Sequence, residues 1–295
     1  RKDLLPKKKR LSKVYRVCSY KFLATTKKKV HTCYHTMTLT TVSGDPITIG
    51  IGTGTSIKDL KRGQPTAENK ARIVDILRYA LLIGYNHIDT AEVYTTQPEV
   101  GTAIAGFQRE KLWITTKYSV TSSMIKKKSF TPTDFVEQAL DEMNTNYIDL
   151  LLIHFPPKPN DPYTIQSLWQ EFVSIKATGK VRYIGVSNFD IPQLNTLLEI
   201  GTPTINQIQY YLGSDNLEVV EFCKNHGILV EAYGPLTPLR NPNPKTDALI
   251  EKLQNANHLT KSQALFRYLL DNNILPITTS FKKERLKEAL HSYTY

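Results

Sequence analysis

Short apolar runs and amphipathic runs alternate eight times along this chain, and no other feature limits its possible folds as tightly. Strand-like runs fall at Ile47–Ile51, His87–Asp89, Leu112–Thr116, Leu150–His154, Tyr183–Ser187, Asn206–Gln209, Leu229–Ala232 and Leu275–Thr278. Apolar spacing near 3.6 marks helices over Thr66–Leu82, Glu99–Phe107, Pro132–Met143, Ile165–Thr178, Ile191–Glu199, Leu217–His226, Leu249–Leu270 with a break near Asn257, and Lys283–Leu290. Thr131-Pro132 reads as a helix start, and Thr178-Gly179 and Asn225-His226-Gly227 read as stops. Strict alternation calls for a parallel sheet. Eight such units in about 250 residues predict an α/β fold of the (β/α)8 TIM-barrel type in preference to an open, doubly wound sheet. An open sheet would carry G-x-G-x-x-G after its first strand. Here glycines 50, 52 and 54 alternate and run into a polar loop, which suits close backbone approach at a strand end or simple barrel packing.

The chain has 295 residues, 40% hydrophobic and 22% charged, enough for one large core. No run approaches the roughly 18–20 apolar residues of a membrane span, so no membrane partner is expected. Net charge is +11, but its distribution is what matters: residues 1–36 hold 12 lysines and arginines against one acid, and the remainder balances at 26 of each. The basic surplus that would raise nucleic acid as a partner belongs wholly to this leader, and nucleic-acid binding is not expected of the body. The leader, with KKKR at 7–10, lacks the apolar stretch of a secretory signal and reads as a disordered or non-native extension, or as a nuclear address. Residues 37–295 read as the barrel. Three cysteines without C-x-x-C or zinc-ligand spacing indicate neither a disulfide framework nor a metal site, and fit a reducing, cytoplasmic setting.

Four residues suggest the chemistry: Asp89 and Tyr94 in GYNHIDTAEVY, Lys117 in LWITTKY and His154 in YIDLLLIHFPP. Each follows an apolar strand-like run, and carboxyl ends of strands are where a barrel gathers its chemistry. Such a set suits proton delivery to a carbonyl oxygen. A free tyrosine titrates near ~10, and an ammonium beside the phenol is expected to bring it nearer working pH. Asp89 would anchor that ammonium, and a His154 ring nitrogen could donate to the substrate oxygen. Taken singly each has a plainer reading, with Asp89 as a helix cap, Tyr94 as a loop residue, Lys117 as a solvated charge and His154 as a hydrogen-bonded imidazole.

The runs GYNHIDTAEVY, ITTKY, LLIHFPP, GKVRYIGVSNF, NQIQYY, GILVEAYGPL and ILPITTSFKKERLKEAL, in this order, resemble the aldo-keto reductases from Ile47 to Leu290. LPITTS, AYGPLTPL and TTQPEVG look most like the fungal conjugated polyketone or 2-dehydropantolactone reductases, also described as α-keto amide reductases. The resemblance implies NADPH-dependent reduction of ketones and α-dicarbonyls (ketopantoyl lactone, conjugated polyketones, α-keto amides) to hydroxy compounds, the dinucleotide binding first. It implies catalytic roles for Asp89, Tyr94, Lys117 and His154. It places Ser187, Asn188 and Gln209 on the nicotinamide carboxamide, Tyr233 against the ring, Gly54 and Thr55 beside the cofactor, and Gly234, Pro235 and Leu236 in a loop over the pyrophosphate. Ser280 would bind at the adenosine end of the cofactor, with Lys282 and Arg285 on the ribose 2′-phosphate, although Thr279 stands where a lysine is common and Ala289 where an asparagine is usual. Phe155, Pro156, Pro157, Tyr118 and Tyr210 are expected to line the substrate pocket. Against the family pattern the chain looks truncated after the eighth helix. Two other functions compete: a nicotinamide-binding redox-sensing module with little turnover, and a barrel aldolase using Lys117 as a Schiff-base nucleophile.

Overall fold

All eight expected strands form, run parallel, and hydrogen-bond in chain order into a closed barrel. The computed structural model describes residues 39–61, 65–121 and 130–294; the basic leader lies outside them. The strands are β1 (Gly50–Gly52), β2 (His87–Asp89), β3 (Trp113–Tyr118), β4 (Ile148–Ile153), β5 (Val181–Ser187), β6 (Ile205–Gln209), β7 (Leu229–Tyr233) and β8 (Ile274–Thr278). The principal helices are α1 (Ala67–Leu82), α2 (Gln97–Ile104), α3 (Pro132–Glu142), α4 (Ile165–Ala177), α5 (Ile191–Leu198), α6 (Leu217–Asn225), α7 (Pro244–Asn257), α8 (Lys261–Asp271) and α9 (Lys283–Thr294).

Local chemistry sets the boundaries. Thr131, Thr164, Asp190 and Thr260 begin α3, α4, α5 and α8 with reciprocal capping boxes, which satisfy amide donors that the first turn leaves free. Gly179 and Gly227 follow α4 and α6 with φ of 80° and 70°, so both stops are left-handed turns. The helical stretch expected from Leu249 to Leu270 divides after Asn257, where the break was expected. It opens earlier because Asn243 caps Lys245 N with Pro244 at the first position, and it breaks where His258 turns left-handed at φ 54°. The first strand begins three residues later than expected. Thr48 N bonds the Asn86 side chain at 2.8 Å, which takes that segment out of the ladder.

Period-two alternation sorts the strand residues. Ile51, Ile88, Ile114, Leu151, Ile153, Ile184 and Val186 face outward and pack with Ile73, Ile76 and Leu77 of α1 and the other helices into the main core. Inward, Trp113, Leu150, Leu152 and Ile205 form a separate apolar plug with Tyr183, Leu229 and Leu275. Leu39 and Ile47 join that plug from a short hairpin bridged at Thr40 and Pro46. The hairpin sits against the amino ends of the strands, where Ser43 N bonds Glu110 O. One end of the barrel is thereby closed with apolar groups, which leaves the carboxyl end for polar ones.

Charge also pins the closed end. Asp149 of β4 is fully buried, and its carboxylate takes Arg109 at 2.7 Å, Arg182 at 2.6 Å and the Ile114 amide at 3.0 Å. Removing it leaves two guanidinium groups facing each other. Both retain some solvent contact, so the cost should fall at the low end of the range for a broken buried pair. Asp149→Ala is expected to lower unfolding stability by about 3 kcal/mol in urea titrations.

Candidate active site

The four residues converge at the open end. Asp89 ends β2, Tyr94 lies in the single helical turn Glu92–Tyr94 just beyond it, Lys117 points inward from β3, and His154 follows β4 directly. Lys117 Nζ donates to Asp89 Oδ1 at 2.7 Å, to Oδ2 at 2.6 Å and to Thr90 O at 3.0 Å. It stands 5.1 Å from the centre of the Tyr94 ring, where its charge acts on the phenol. The His154 ring meets Tyr94 edge-on, centroids 5.6 Å apart at 85°. A second ammonium, Lys58 from the turn after β1, lies 5.6 Å from the same ring centre.

Glycine just beyond β1 makes the convergence possible. A Cβ at Gly54 would lie 2.7 Å from Tyr94 Cζ and 2.9 Å from its hydroxyl, so the phenol rests directly on backbone. A Cβ at Gly50 would lie 2.4 Å from Ile277 Cδ1 and 2.9 Å from His87 Nδ1, which is packing inside the barrel. Both sequence readings of the alternating glycines therefore apply, at different positions.

Protonation follows from burial and neighbours. Burial alone would pull the Lys117 ammonium down, but Asp89 chiefly, with Tyr94 and Glu231, more than offsets this and holds it above its ordinary value. The Tyr94 phenol is pushed up by burial, Lys117 opposing and Asp89 adding to the rise. The expectation that Lys117 brings the phenol down is thus corrected: the ammonium acts in that direction, but desolvation outweighs it. His154 is lowered to about 3 by burial, with Lys117 and Lys58 contributing, so it is a neutral imidazole. Its Nδ1 is buried with no hydrogen-bond partner among the described residues.

Two residues that the sequence reading passed over form the floor. Gln207 Nε2 donates to Asp89 Oδ2 and to Glu231 Oε2, each at 2.8 Å, and both side chains are buried. They lie two positions before Gln209 and Tyr233, in the same inward register. A charged residue inside the run LVEAY was the available signal.

The other rim residues fall at the ends of β5 to β8. Ser187 Oγ donates to Gln207 O at 2.8 Å; Asn188, left-handed at φ 64°, donates to His154 O at 2.9 Å and accepts from the Tyr233 hydroxyl at 2.8 Å. Gln209 is exposed at the end of β6, its side chain 3.7 Å from where a Gly234 Cβ would stand. The glutamine that reaches the tetrad is Gln207. Gly234 turns at φ 69°, its carbonyl taking Thr237 N and Oγ1, and carries the chain through buried Pro235 and half-buried Leu236. Ser280 Oγ accepts from Lys282 N at 3.0 Å just before α9, where the Lys282 and Arg285 side chains are exposed. Thr55 is exposed after β1. Among the expected pocket liners, Phe155 is half-exposed and stacks on His154 at 4.7 Å, with Pro156 and Pro157 beyond it. Tyr118 and Tyr210 are not liners. Both are buried in the core between barrel and helices, because they occupy outward positions.

A concavity of about 730 Å³ between α2 and α3, bordered by Arg109, Leu140 and Thr145, shares no residue with the tetrad. Among the described residues no cluster of His, Cys, Asp and Glu is placed to hold a metal, and no helix is long and apolar enough to cross a membrane.

A parallel barrel with an ammonium, a phenol and a neutral imidazole gathered at the carboxyl ends of its strands has the layout of a barrel enzyme. Residues 48–294 match the Aldo/keto reductase family. The chain belongs to that family and is an oxidoreductase. It is 33% identical over 259 residues to an NADPH-dependent alpha-keto amide reductase of Saccharomyces cerevisiae, covering 83% of this chain and 81% of that protein. It is 36% identical over 248 residues to an NAD/NADP-dependent indole-3-acetaldehyde reductase of Schizosaccharomyces pombe, covering 81% and 84%. Its fold matches the crystal structure of a Bombyx mori aldo-keto reductase in complex with NADP, with a TM-score of 0.71, 28% identity, and 88% of each chain covered.

Gly54→Ala forces the Tyr94 ring off its seat. Turnover should fall by about 10²-fold, as for a misplacement of roughly 1 Å, with circular dichroism unchanged. The double variant Gly54→Ala/Tyr94→Phe should be little worse than Tyr94→Phe alone, because both changes act on one function.

Proposed function

We propose that the chain reduces ketones and α-dicarbonyl compounds, ketopantoyl lactone and α-keto amides among them, to hydroxy compounds with NADPH, Tyr94 serving as general acid. The observation that carries this reading is Lys117: a fully buried ammonium, fixed by both oxygens of Asp89, set against the Tyr94 phenol.

The residues present suit the cofactor. Tyr233 offers a half-buried ring held in plane by Asn188, suited to stacking on a flat heterocycle. Ser187 and Asn188 supply amide and hydroxyl partners at the same edge, and Gly54, Thr55 and Gln209 border the groove. The left-handed turn at Gly234, with Pro235 and Leu236, gives a loop that can lie over a pyrophosphate. Ser280, Lys282 and Arg285 gather at the amino end of α9, where helix dipole and guanidinium favour a phosphate. NADPH, once bound, supplies the hydride.

The chain's own part is the proton. A carbonyl oxygen between Tyr94 and His154 would receive a proton from the phenol as negative charge builds on it. Lys117 stabilises the phenolate left behind, and Asp89 keeps Lys117 charged and in place. His154, neutral, can donate a ring N–H to the same oxygen without competing as an acid. Phe155, stacked on His154, offers an apolar wall to the substrate.

Tyr94→Phe should reduce NADPH consumption with a cyclic dicarbonyl by about 10²–10⁴-fold, while NADPH still quenches protein fluorescence. Quenching by wild type without turnover across a carbonyl panel would favour the redox-sensing module, and borohydride trapping on Lys117 an aldolase. Because His154 titrates at about 3, the pH profile of the wild type should show no step from an imidazole between roughly pH 5 and 8.

A further inference from the structure

Below the Asp89–Lys117 pair lies a carboxyl group with no part in the proton path above. Glu231 of β7 is 1% exposed, in the middle of the barrel. Its Oε2 accepts from Gln207 Nε2 at 2.8 Å, and the same nitrogen donates to Asp89 Oδ2 at 2.8 Å. One amide therefore clips two carboxyl groups together. Glu231 Oε1 has no hydrogen-bond partner among the described residues, and its ionisable neighbour, His87 Nε2, is 3.9 Å away. The groups facing Glu231 are His87 and Asp89 from β2, Lys117 from β3 and Gln207 from β6.

The charges do not balance if both acids are ionised. Lys117 is the one cation in this set, and both Asp89 oxygens already hold it. His87 is no substitute, being lowered to about 4 by burial and by Lys117, with Asp89 opposing. A second carboxylate beside Asp89 would be dry and unpaired, an arrangement that proteins relieve by keeping a proton on one of the two.

We propose that Glu231 is a positioning residue for the proton donor: as a neutral acid joined through Gln207 to Asp89 it holds Asp89 beneath Lys117, and on ionising it weakens Tyr94 as an acid. The proposal rests on the reading of Tyr94 as general acid. Burial, then Asp89, raise Glu231 from 4.5 to about 8, Gln207 and Lys117 pulling the other way. Above that pH a new negative charge faces the Lys117 cluster, and the phenolate that forms on proton transfer is correspondingly disfavoured. Carbonyl reduction by the wild type should then fall by about tenfold as pH rises through roughly 8 and level off beyond it.

The test compares wild type, Glu231→Gln and Glu231→Ala in kcat for a cyclic dicarbonyl from pH 6 to 10, and in Tm without cofactor from pH 5 to 9. Glu231→Gln keeps an acceptor for Gln207 but cannot ionise, so its alkaline fall should move up by at least one pH unit. Glu231→Ala loses the acceptor and should lower kcat at every pH. Because the folded-state value lies above the unfolded one, Glu231 contributes stability that is complete below pH 4.5 and is lost as pH rises through about 8. Wild-type Tm should therefore drop relative to Glu231→Gln across that window. An alkaline limb unchanged in Glu231→Gln, or equal losses in both variants at all pH values, overturns the positioning role. A Tm difference that does not vary with pH overturns the neutral acid. A wild type that reduces no carbonyl fails the functional reading itself, and the Tm comparison still reports the Glu231 proton separately.

Discussion

The active end of this barrel depends on one buried ion pair. Taking an ammonium and a carboxylate out of water costs several kcal/mol per ion, and attraction repays this only when the remaining donors and acceptors are met. Here they are: Lys117 reaches both Asp89 oxygens and the Thr90 carbonyl, while Asp89 also accepts from Gln207. At contacts of 2.6–2.7 Å an effective dielectric of 20 gives an attraction of roughly 6 kcal/mol. That is the scale needed to keep the lysine charged in the barrel interior. Without the carboxylate, burial would favour the neutral amine, and the phenol would lose the cation that holds its conjugate base.

Geometry delivers the pair to the phenol through the smallest residues in the chain. β1 presents glycine at its inward positions, and the space so left is filled by side chains from elsewhere: His87, Ile277 and, at the rim, the Tyr94 ring. The opposite end is shut by the plug around Trp113 and by the hairpin at Thr40 and Pro46. Apolar packing at one end and polar clustering at the other are thus two consequences of the same inward register, read along the strands from Trp113 through Thr115 to Lys117. The helices contribute by gripping the outward register, so the strands cannot slip by one residue without exchanging the two sets.

Much of this was written in the sequence. β2 and the starts of α3, α4, α5 and α6 fall where periodicity puts them, and Thr131, Thr164 and Asp190 fix the first three of those starts within their own first turns. The tetrad was legible because Asp89, Lys117 and His154 each follow an apolar run. What escaped depends on partners distant in the chain. Asn86 withdraws Thr48 from β1, Gln207 meets Asp89 across 118 residues, and Tyr118 and Tyr210 turn outward by a register that no local pattern distinguishes. The direction of the Tyr94 shift was misjudged for a related reason. Composition shows which charges exist, but the depth at which the barrel holds them decides whether desolvation or attraction prevails.

That depth works in both directions. Burial raises the Tyr94 phenol, which makes it a weaker acid, and burial also strengthens each charge that acts on it. His154 and His87 are driven neutral by the same cause, so neither competes with Lys117 for Asp89 or adds a cation. The charged groups nearest the phenol are then a matched pair, Lys117 and Asp89, ordered so that the cation stands between the carboxylate and the hydroxyl. Lys58, half-buried and 5.6 Å from the centre of the Tyr94 ring, adds positive potential there. In the proposed role of Tyr94 as proton donor, an acid that is weak in isolation would be made effective by such a field, because proton loss from the phenol and charge growth on a substrate oxygen would occur among fixed cations and a neutral donor that need not reorganise.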